Sequence, residues 1–166
     1  MIINDGPASG AVNMQTDLDL LESHKPGDNP ILRIYSWSPF SVSYGYHQKT
    51  ANFNQTEIES NGYGFVRRAT GGRAILHAEE LTYSIVGTSP SDLFGNNLHD
   101  TYMLINQALI LFLQKLELQP DISIGETLSE ARASICFKSA GKHEITVDSK
   151  KIIGSAQRRK NGVFLQ

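Results

Sequence analysis

The sequence predicts an α+β domain in which a mixed, largely antiparallel sheet packs with helices. Two observations carry this: short strand-like runs are grouped in hairpins between clusters of turn formers, and two stretches carry apolar residues at helical spacing. At 166 residues the chain is one domain's worth of sequence.

The elements follow in order. Ala11, Met14, Leu18 and Leu21 recur every three or four residues and predict a first helix. It ends before Lys25-Pro26-Gly27-Asp28-Asn29-Pro30, a loop by composition. Ile31 to Trp37 and Ser41 to Tyr46 read as strands separated at Pro39, and Thr56 to Ser60 as a short helix closed by Asn61-Gly62. Phe65 to Arg68 is a short strand running into Gly71-Gly72, and Glu80 to Val86 alternates in the manner of a half-buried strand. Thr101 to Leu118 is the strongest helix, with Tyr102, Ile105, Leu109, Phe112 and Leu116 on one face and Pro120 as its stop. His143 to Val147 and Lys151 to Ser155 form two strands across a tight turn at Asp148-Ser149. Lys160-Asn161-Gly162 is a second turn, leading into a strand at Val163 to Gln166.

Composition narrows the function classes. Fifteen Lys and Arg against seventeen Asp and Glu leave a net charge of −2, which argues against nucleic-acid binding through a broad basic surface. Mean hydropathy is −0.26, and no apolar run approaches the roughly 20 residues that cross a bilayer. The start, Met1-Ile-Ile-Asn-Asp-Gly, lacks the basic and apolar regions of a signal peptide. One cysteine makes neither an internal disulfide nor a CxxC metal site. The expectation is a cytoplasmic, metal-independent domain without nucleic-acid or membrane partners.

Five places carry candidate chemistry. In Arg67-Arg68-Ala69-Thr70-Gly71-Gly72-Arg73 the paired glycines let backbone N–H groups approach a ligand, and the arginines add positive charge. A plain glycine turn with solvated arginines is the ordinary alternative. The segment is neither a Walker loop nor a dinucleotide fingerprint. His77, after Ile75-Leu76, either orients a substrate or is a half-buried strand histidine. Cys136 is either a small core residue or a nucleophile, the latter favoured by the basic residues Arg132 and Lys138 around it. Lys150 and Lys151 point to opposite faces of their strand, so one is directed inward unless both snorkel out. Arg158-Arg159-Lys160 reads as a solvated turn.

Taken together, these segments are more specific than any one of them. Gly10-Ala-Val-Asn13-Met14 with Asp17, Leu32-Arg33-Ile-Tyr35-Ser-Trp37 and Ser43-Tyr-Gly45-Tyr46-His-Gln48 come first. Arg67-Arg68-Ala-Thr70-Gly71-Gly72-Arg73-Ala74-Ile-Leu-His77 follows, with Glu80-Leu81-Thr82-Tyr83-Ser84, and Lys151-Ile-Ile-Gly154-Ser155-Ala156-Gln157-Arg158 completes the order. In this arrangement the chain resembles the lipoate–protein ligase and octanoyltransferase family, which shares its catalytic fold with biotin–protein ligases. The resemblance covers essentially the whole chain. It implies a biotin/lipoate–protein ligase-like fold and a single catalytic domain over 1–166 that lacks its last strand or strands and C-terminal helices. Val163 to Gln166 is then a strand begun without the partner that protects its edge; a short protein closing the sheet by dimerising is the alternative.

Within the family, ligases activate a free carboxylate with ATP, whereas transferases start from an acyl thioester and need no nucleotide. Cys136-Phe137, eight residues before Glu144 and in the family's separation from Lys151, resembles the cysteine-dependent octanoyltransferases. The stretch Lys-Ser-Ala-Gly-Lys-His before Glu144, and Ser149 in the hairpin turn, depart from the family pattern.

The resemblance implies Cys136 and Lys151 as the catalytic pair, the lysine lowering the thiol pKa from its usual value of about 8.5. It implies substrate binding at Arg67, Arg68, Thr70, Gly71, Gly72, Arg73 and His77, and at Gly154, Ser155 and Ala156. The implied donor is octanoyl-acyl carrier protein. The implied acceptors are lipoyl domains of 2-oxoacid dehydrogenase E2 subunits or the glycine-cleavage H protein. No cofactor is implied for transfer; ATP and Mg belong to the alternative, lipoate ligation. From a different class, a non-catalytic module binding lipoyl domains or acyl groups is opposed by the pairing of Cys136 with Lys151.

Overall fold

The computed structural model describes residues 1–122 and 144–166. Its elements are β1 (Ile2–Ala8), α1 (Gly10–Ser23), β2 (Ile31–Trp37), β3 (Ser41–Tyr44), α2 (Gln55–Ser60), β4 (Gly64–Arg67), β5 (Ile75–His77), β6 (Thr82–Thr88), α3 (Leu98–Lys115), β7 (Pro120–Ile122), β8 (Ile145–Val147), β9 (Lys150–Ile153), β10 (Arg158–Lys160) and β11 (Val163–Leu165). They form two compact units, Met1–Thr88 with Ala156–Gln166, and Ser89–Ser155. Among the described residues no helix is long and apolar enough to cross a membrane.

In the first unit a five-stranded sheet runs in the order β1-β2-β6-β11-β10, and a three-stranded sheet in the order β4-β3-β5. The β1–β2 and β3–β4 pairs are parallel and the remaining pairs are antiparallel, in agreement with the predicted α+β class. Leu21, Val86, Val163 and Leu165 form an apolar cluster where α1 covers the large sheet.

The last strand differs from expectation. Instead of an unprotected edge, β11 lies inside the sheet, paired with β6 on one side and β10 on the other. All three of its residues are buried. The strand at β1 was not foreseen, and β5 was foreseen only as one of two readings of His77. The first comes before α1 with only Ser9 between them, and the second is only three residues long.

Helix α1 also differs. Its apolar stripe predicts one buried face, but the buried residues are Gly10, Asn13, Asp17 and Leu21. The reason is Arg33 on β2, which is 1% exposed beneath the helix. A guanidinium taken out of water needs opposite charge and hydrogen-bond acceptors to offset its lost hydration. Its Nε donates to Asp5 at 2.6 Å, its Nη1 to Asp17 at 2.8 Å and its Nη2 to the Asn13 side-chain carbonyl at 2.9 Å. Tyr35 and Ser84 hydroxyls also donate to Asp17, at 2.8 and 2.7 Å. Burial, chiefly, and the neighbouring Asp17 carboxylate hold the Tyr35 phenol well above its usual range.

In the second unit the Asn97 side chain caps α3 by accepting from the Asp100 N–H at 3.0 Å, and Asp100 accepts in return from the Asn96 N–H at 3.0 Å. The helix ends at Lys115, earlier than predicted, with Glu117 in the left-handed region at φ 62°. Pro120 opens β7, a position where the missing N–H does not interrupt a ladder. Of the predicted apolar face only Ile105 is buried, while Phe112 and Leu116 are half exposed. The β8–β9 hairpin is as predicted: Asp148 and Ser149 both take positive φ, 49° and 62°, giving the primed turn whose twist matches paired strands.

Candidate functional site

The predicted glycine loop leaves β4 and folds around the side chain of Arg68. Arg68 Nε and Nη2 donate to the Gly71 carbonyl at 3.1 and 2.8 Å, and Nη2 also to the Arg73 carbonyl at 2.7 Å. Its Nη1 donates to the Ser43 carbonyl at 3.1 Å. Arg68, expected to add positive charge beside the paired glycines, is turned into the loop. In a trans peptide the N–H lies opposite the C=O. Drawing the Gly71 and Arg73 carbonyls toward the guanidinium thus turns the N–H groups of Gly72 and Ala74 away from it.

Glycine is required at two points of this packing. Gly72 has φ +93°, and a Cβ there would lie 2.8 Å from Arg68 Nη2. At Gly45 a Cβ would fall 1.9 Å from the Gly72 carbonyl oxygen, so the loop seats directly on the backbone after β3. Buried Thr70 ties the loop to the same place, its carbonyl accepting from the Tyr46 N–H at 2.9 Å.

His77 ends β5, opposite β3. Its Nδ1 is 2.6 Å from Glu80 Oε1, its Nε2 is 2.8 Å from Ser43 Oγ, and its ring stacks on Trp37 with centroids 3.8 Å apart. Arg68 Nη1 donates to Ser43 Oγ at 3.2 Å. Directions follow from what each end can do. The Glu80 carboxylate accepts, so Nδ1 carries the proton; Ser43 accepts from Arg68 and lies within hydrogen-bonding distance of Nε2. Burial, the largest influence, lowers the His77 pKa, and the Arg68 charge acts in the same direction, while the bond to Glu80 opposes them. Trp37 is fixed in turn by donating from Nε1 to Thr82 Oγ1 at 2.8 Å.

Beside the loop is a cavity of about 290 Å³ lined by Tyr46, His47, Ala69, Gly71, Gln157 and Arg158. Arg67 donates twice to the Tyr46 carbonyl, at 3.0 and 2.5 Å, and its guanidinium lies 4.2 Å from the Tyr46 ring centroid. Arg158, expected in a solvated turn, opens β10 and lies 4.7 Å from the same ring.

The second unit contains the lysine hairpin. Lys151, not Lys150, is turned inward: its side chain is 4% exposed and donates to Glu144 Oε1 at 2.5 Å. Gly154 leaves room for it, since a Cβ there would approach Lys151 Cε to 2.9 Å. The Ser155 carbonyl accepts a long bond, 3.5 Å, from the Tyr102 hydroxyl. Cys136 lies outside the described residues. Arg67, Arg68, Thr70, Gly71, Gly72, Arg73, His77 and Ala156 belong to the first unit, and Lys151, Gly154 and Ser155 to the second.

Sequence reading did not assign Ser43, Glu80, Gly45, Tyr46 or Arg158 to the site. A serine on an alternating strand was the available signal for Ser43, because Ser41 and Ser43 occupy inward positions where apolar residues are usual. Among the described residues no group of three or more His, Cys, Asp or Glu is placed to hold a metal ion.

The chain is similar to proteins of one kind. The family model "lipoyl protein ligase A/B catalytic domain" matches residues 9–166. Octanoyltransferase LipM of Kyrpidia tusciae is 37% identical over 172 residues, covering 99% of this chain and 63% of the relative. The protein of the same name from Brevibacillus brevis is 39% identical over 166 residues, covering 95% and 60%. The chain thus spans about three-fifths of the length of these curated relatives. Among solved structures, lipoate-protein ligase A bound with ATP superposes with a TM-score of 0.81 at 27% identity, covering 99% of this chain and 63% of that one. The motif order, the fold and these likenesses agree, and the chain belongs to the lipoyl protein ligase A/B catalytic-domain family.

Proposed function

We propose that this chain is catalytic sequence of an octanoyltransferase. It moves an octanoyl group from the thioester of acyl carrier protein onto Cys136, and from there to a lysine of a lipoyl domain. Such domains occur on 2-oxoacid dehydrogenase E2 subunits and the glycine-cleavage H protein. The observation that carries this reading is the inward Lys151, held by Glu144 on a hairpin that begins eight residues after Cys136. The names of the two bacterial relatives, both octanoyltransferases, support the choice of transfer over ligation.

In the first step the Cys136 thiolate attacks the thioester carbonyl carbon. The C–S bond to the carrier breaks, and the carrier thiolate leaves and takes up a proton. This exchange of one thioester for another is nearly balanced in energy. In the second step the acceptor amine attacks the S-octanoyl group, loses a proton and expels the Cys136 thiolate, and the amide formed makes this step downhill. Both steps place negative charge on the carbonyl oxygen, and preorganised donors are the strongest means of stabilising it. Among the described residues of the first unit, the N–H groups of Gly72 and Ala74, which Arg68 turns outward, are candidate donors of this kind. Lys151 supplies the positive charge that favours a thiolate. No nucleotide is needed, because the thioester is already activated.

Lipoate ligation is the second reading, favoured by the likeness to a ligase that binds ATP. Intact-mass measurement after mixing with octanoyl-carrier protein, without nucleotide, separates the two. A gain of one octanoyl group that Cys136→Ala abolishes supports transfer. An adenylate formed only with ATP and free acid supports ligation.

A further inference from the structure

The cavity beside the loop has an unusual charge balance. Its six lining residues include a guanidinium, an imidazole and an amide, and no carboxylate. Arg67 stands next to it on the Tyr46 ring. Arg33, buried in the same unit, has two carboxylates within ion-pair distance. Arg67 and Arg158, by contrast, bond only to backbone carbonyls among the described residues, and the Arg158 bond to Ala69 is long, at 3.4 Å. Both are nonetheless positioned, since each guanidinium packs against one aromatic ring. Two oriented guanidinium groups without acid partners, at the mouth of a cavity, suit an anion with several oxygens.

The reaction proposed above limits which anion that is. The octanoyl chain is neutral and the acceptor lysine is cationic, but the arm that carries the donor thioester is attached through a phosphate ester. We propose that the cavity between Tyr46, Gly71 and Arg158 binds the phosphate of the donor's phosphopantetheine arm, with Arg67 and Arg158 as its cationic ligands. The assignment rests on the transferase reading and deepens it. Anchoring the phosphate fixes one end of the arm beside Gly71, whose carbonyl Arg68 holds, so donor recognition and loop geometry share one backbone segment.

The test compares 4′-phosphopantetheine with pantetheine, which differ only in the phosphate, by titration calorimetry on the full chain. The expected result is at least tenfold tighter binding of the phosphorylated compound, weakening with added salt. Arg158→Gln should reduce that preference toward unity, and Arg158→Lys should retain part of it. If Arg158→Gln does not fold, the lysine variant with Arg67→Gln serves in its place. Equal affinity for the two compounds in the wild type overturns the proposal, as does a preference that survives both substitutions. ATP is the second arm: if it displaces 4′-phosphopantetheine and binds more tightly, the pocket is a nucleotide phosphate site and the assignment to the donor arm falls. The transferase reading is judged separately, by acylation of the chain from octanoyl-4′-phosphopantetheine. Absence of acylation sinks that reading even where the calorimetric preference is found.

Discussion

Two arginines inside the first unit are held in opposite ways. Arg33 is enclosed by carboxylates and a side-chain amide drawn from β1 and α1, 16 to 28 residues before it. Arg68 is enclosed mainly by carbonyls, those of Gly71 and Arg73 in its own loop and of Ser43 on β3. The difference lies in what is stranded when a contact is lost. Breaking the first arrangement leaves a buried charge without its counter-charge, at a cost of several kcal/mol. Breaking the second frees neutral dipoles at a partly exposed loop, where water replaces most of what is lost. The first arginine therefore secures the sheet under α1, while the second sets the conformation of the loop beside the cavity.

Asp17→Ala should have the largest effect. It removes the acceptor of Arg33, Tyr35 and Ser84 together and should cost about 3–5 kcal/mol, read from the denaturant midpoint. A loss below about 1 kcal/mol would make the two arginines equivalent. Gly45→Ala comes next, because its Cβ would overlap the Gly72 carbonyl, and overpacking of this kind costs about 1–3 kcal/mol. The loop should shift, with octanoyl transfer falling by more than the stability change explains. Arg68→Gln should cost only about 0.5–1.5 kcal/mol in stability. It should still lower the transfer rate by about 10²-fold, the size expected from displacing positioned groups by an ångström. If rate and stability fell in proportion, Arg68 would be a second Arg33.

The smallest effect concerns pH. His77 has a lowered pKa in the folded chain, with burial as the main cause, so the unfolded chain binds its proton more readily. Its contribution to stability is complete above the unfolded value of about 6.5 and is lost as the pH falls toward the lowered folded value. His77→Gln should flatten that part of the acid limb in urea melts between pH 7 and 5. An unchanged slope would mean that other groups carry it, and that the Ser43–His77–Glu80 chain is not charge-sensitive.

Much of the local structure was legible. The Asp148-Ser149 and Asn161-Gly162 turns and the inward direction of one of the two adjacent lysines all follow from backbone sterics and the two-residue period of a strand. The loop at Arg67 to Arg73 was legible too, because paired glycines between strands are a local signal. Which arginine points where was not local information. Arg68 turns inward because β3 and the loop place four oxygens around it, and Arg158 is held because Tyr46, 112 residues earlier, presents its ring.

The sequence by itself thus determined the elements with a strong period, the turns and the family motifs, each set by interactions among residues close in the chain. Tertiary structure alone decided that Asn13 and Asp17 would be the buried face of α1, that β11 would be interior, and that His77 would lie between Ser43 and Glu80. For β11 the deciding factor is pairing on both edges with its apolar residues buried, and for the other two the deciding free energy is desolvation of a polar or charged group. Its sign depends on partners brought in from distant parts of the chain, so no local pattern encodes it.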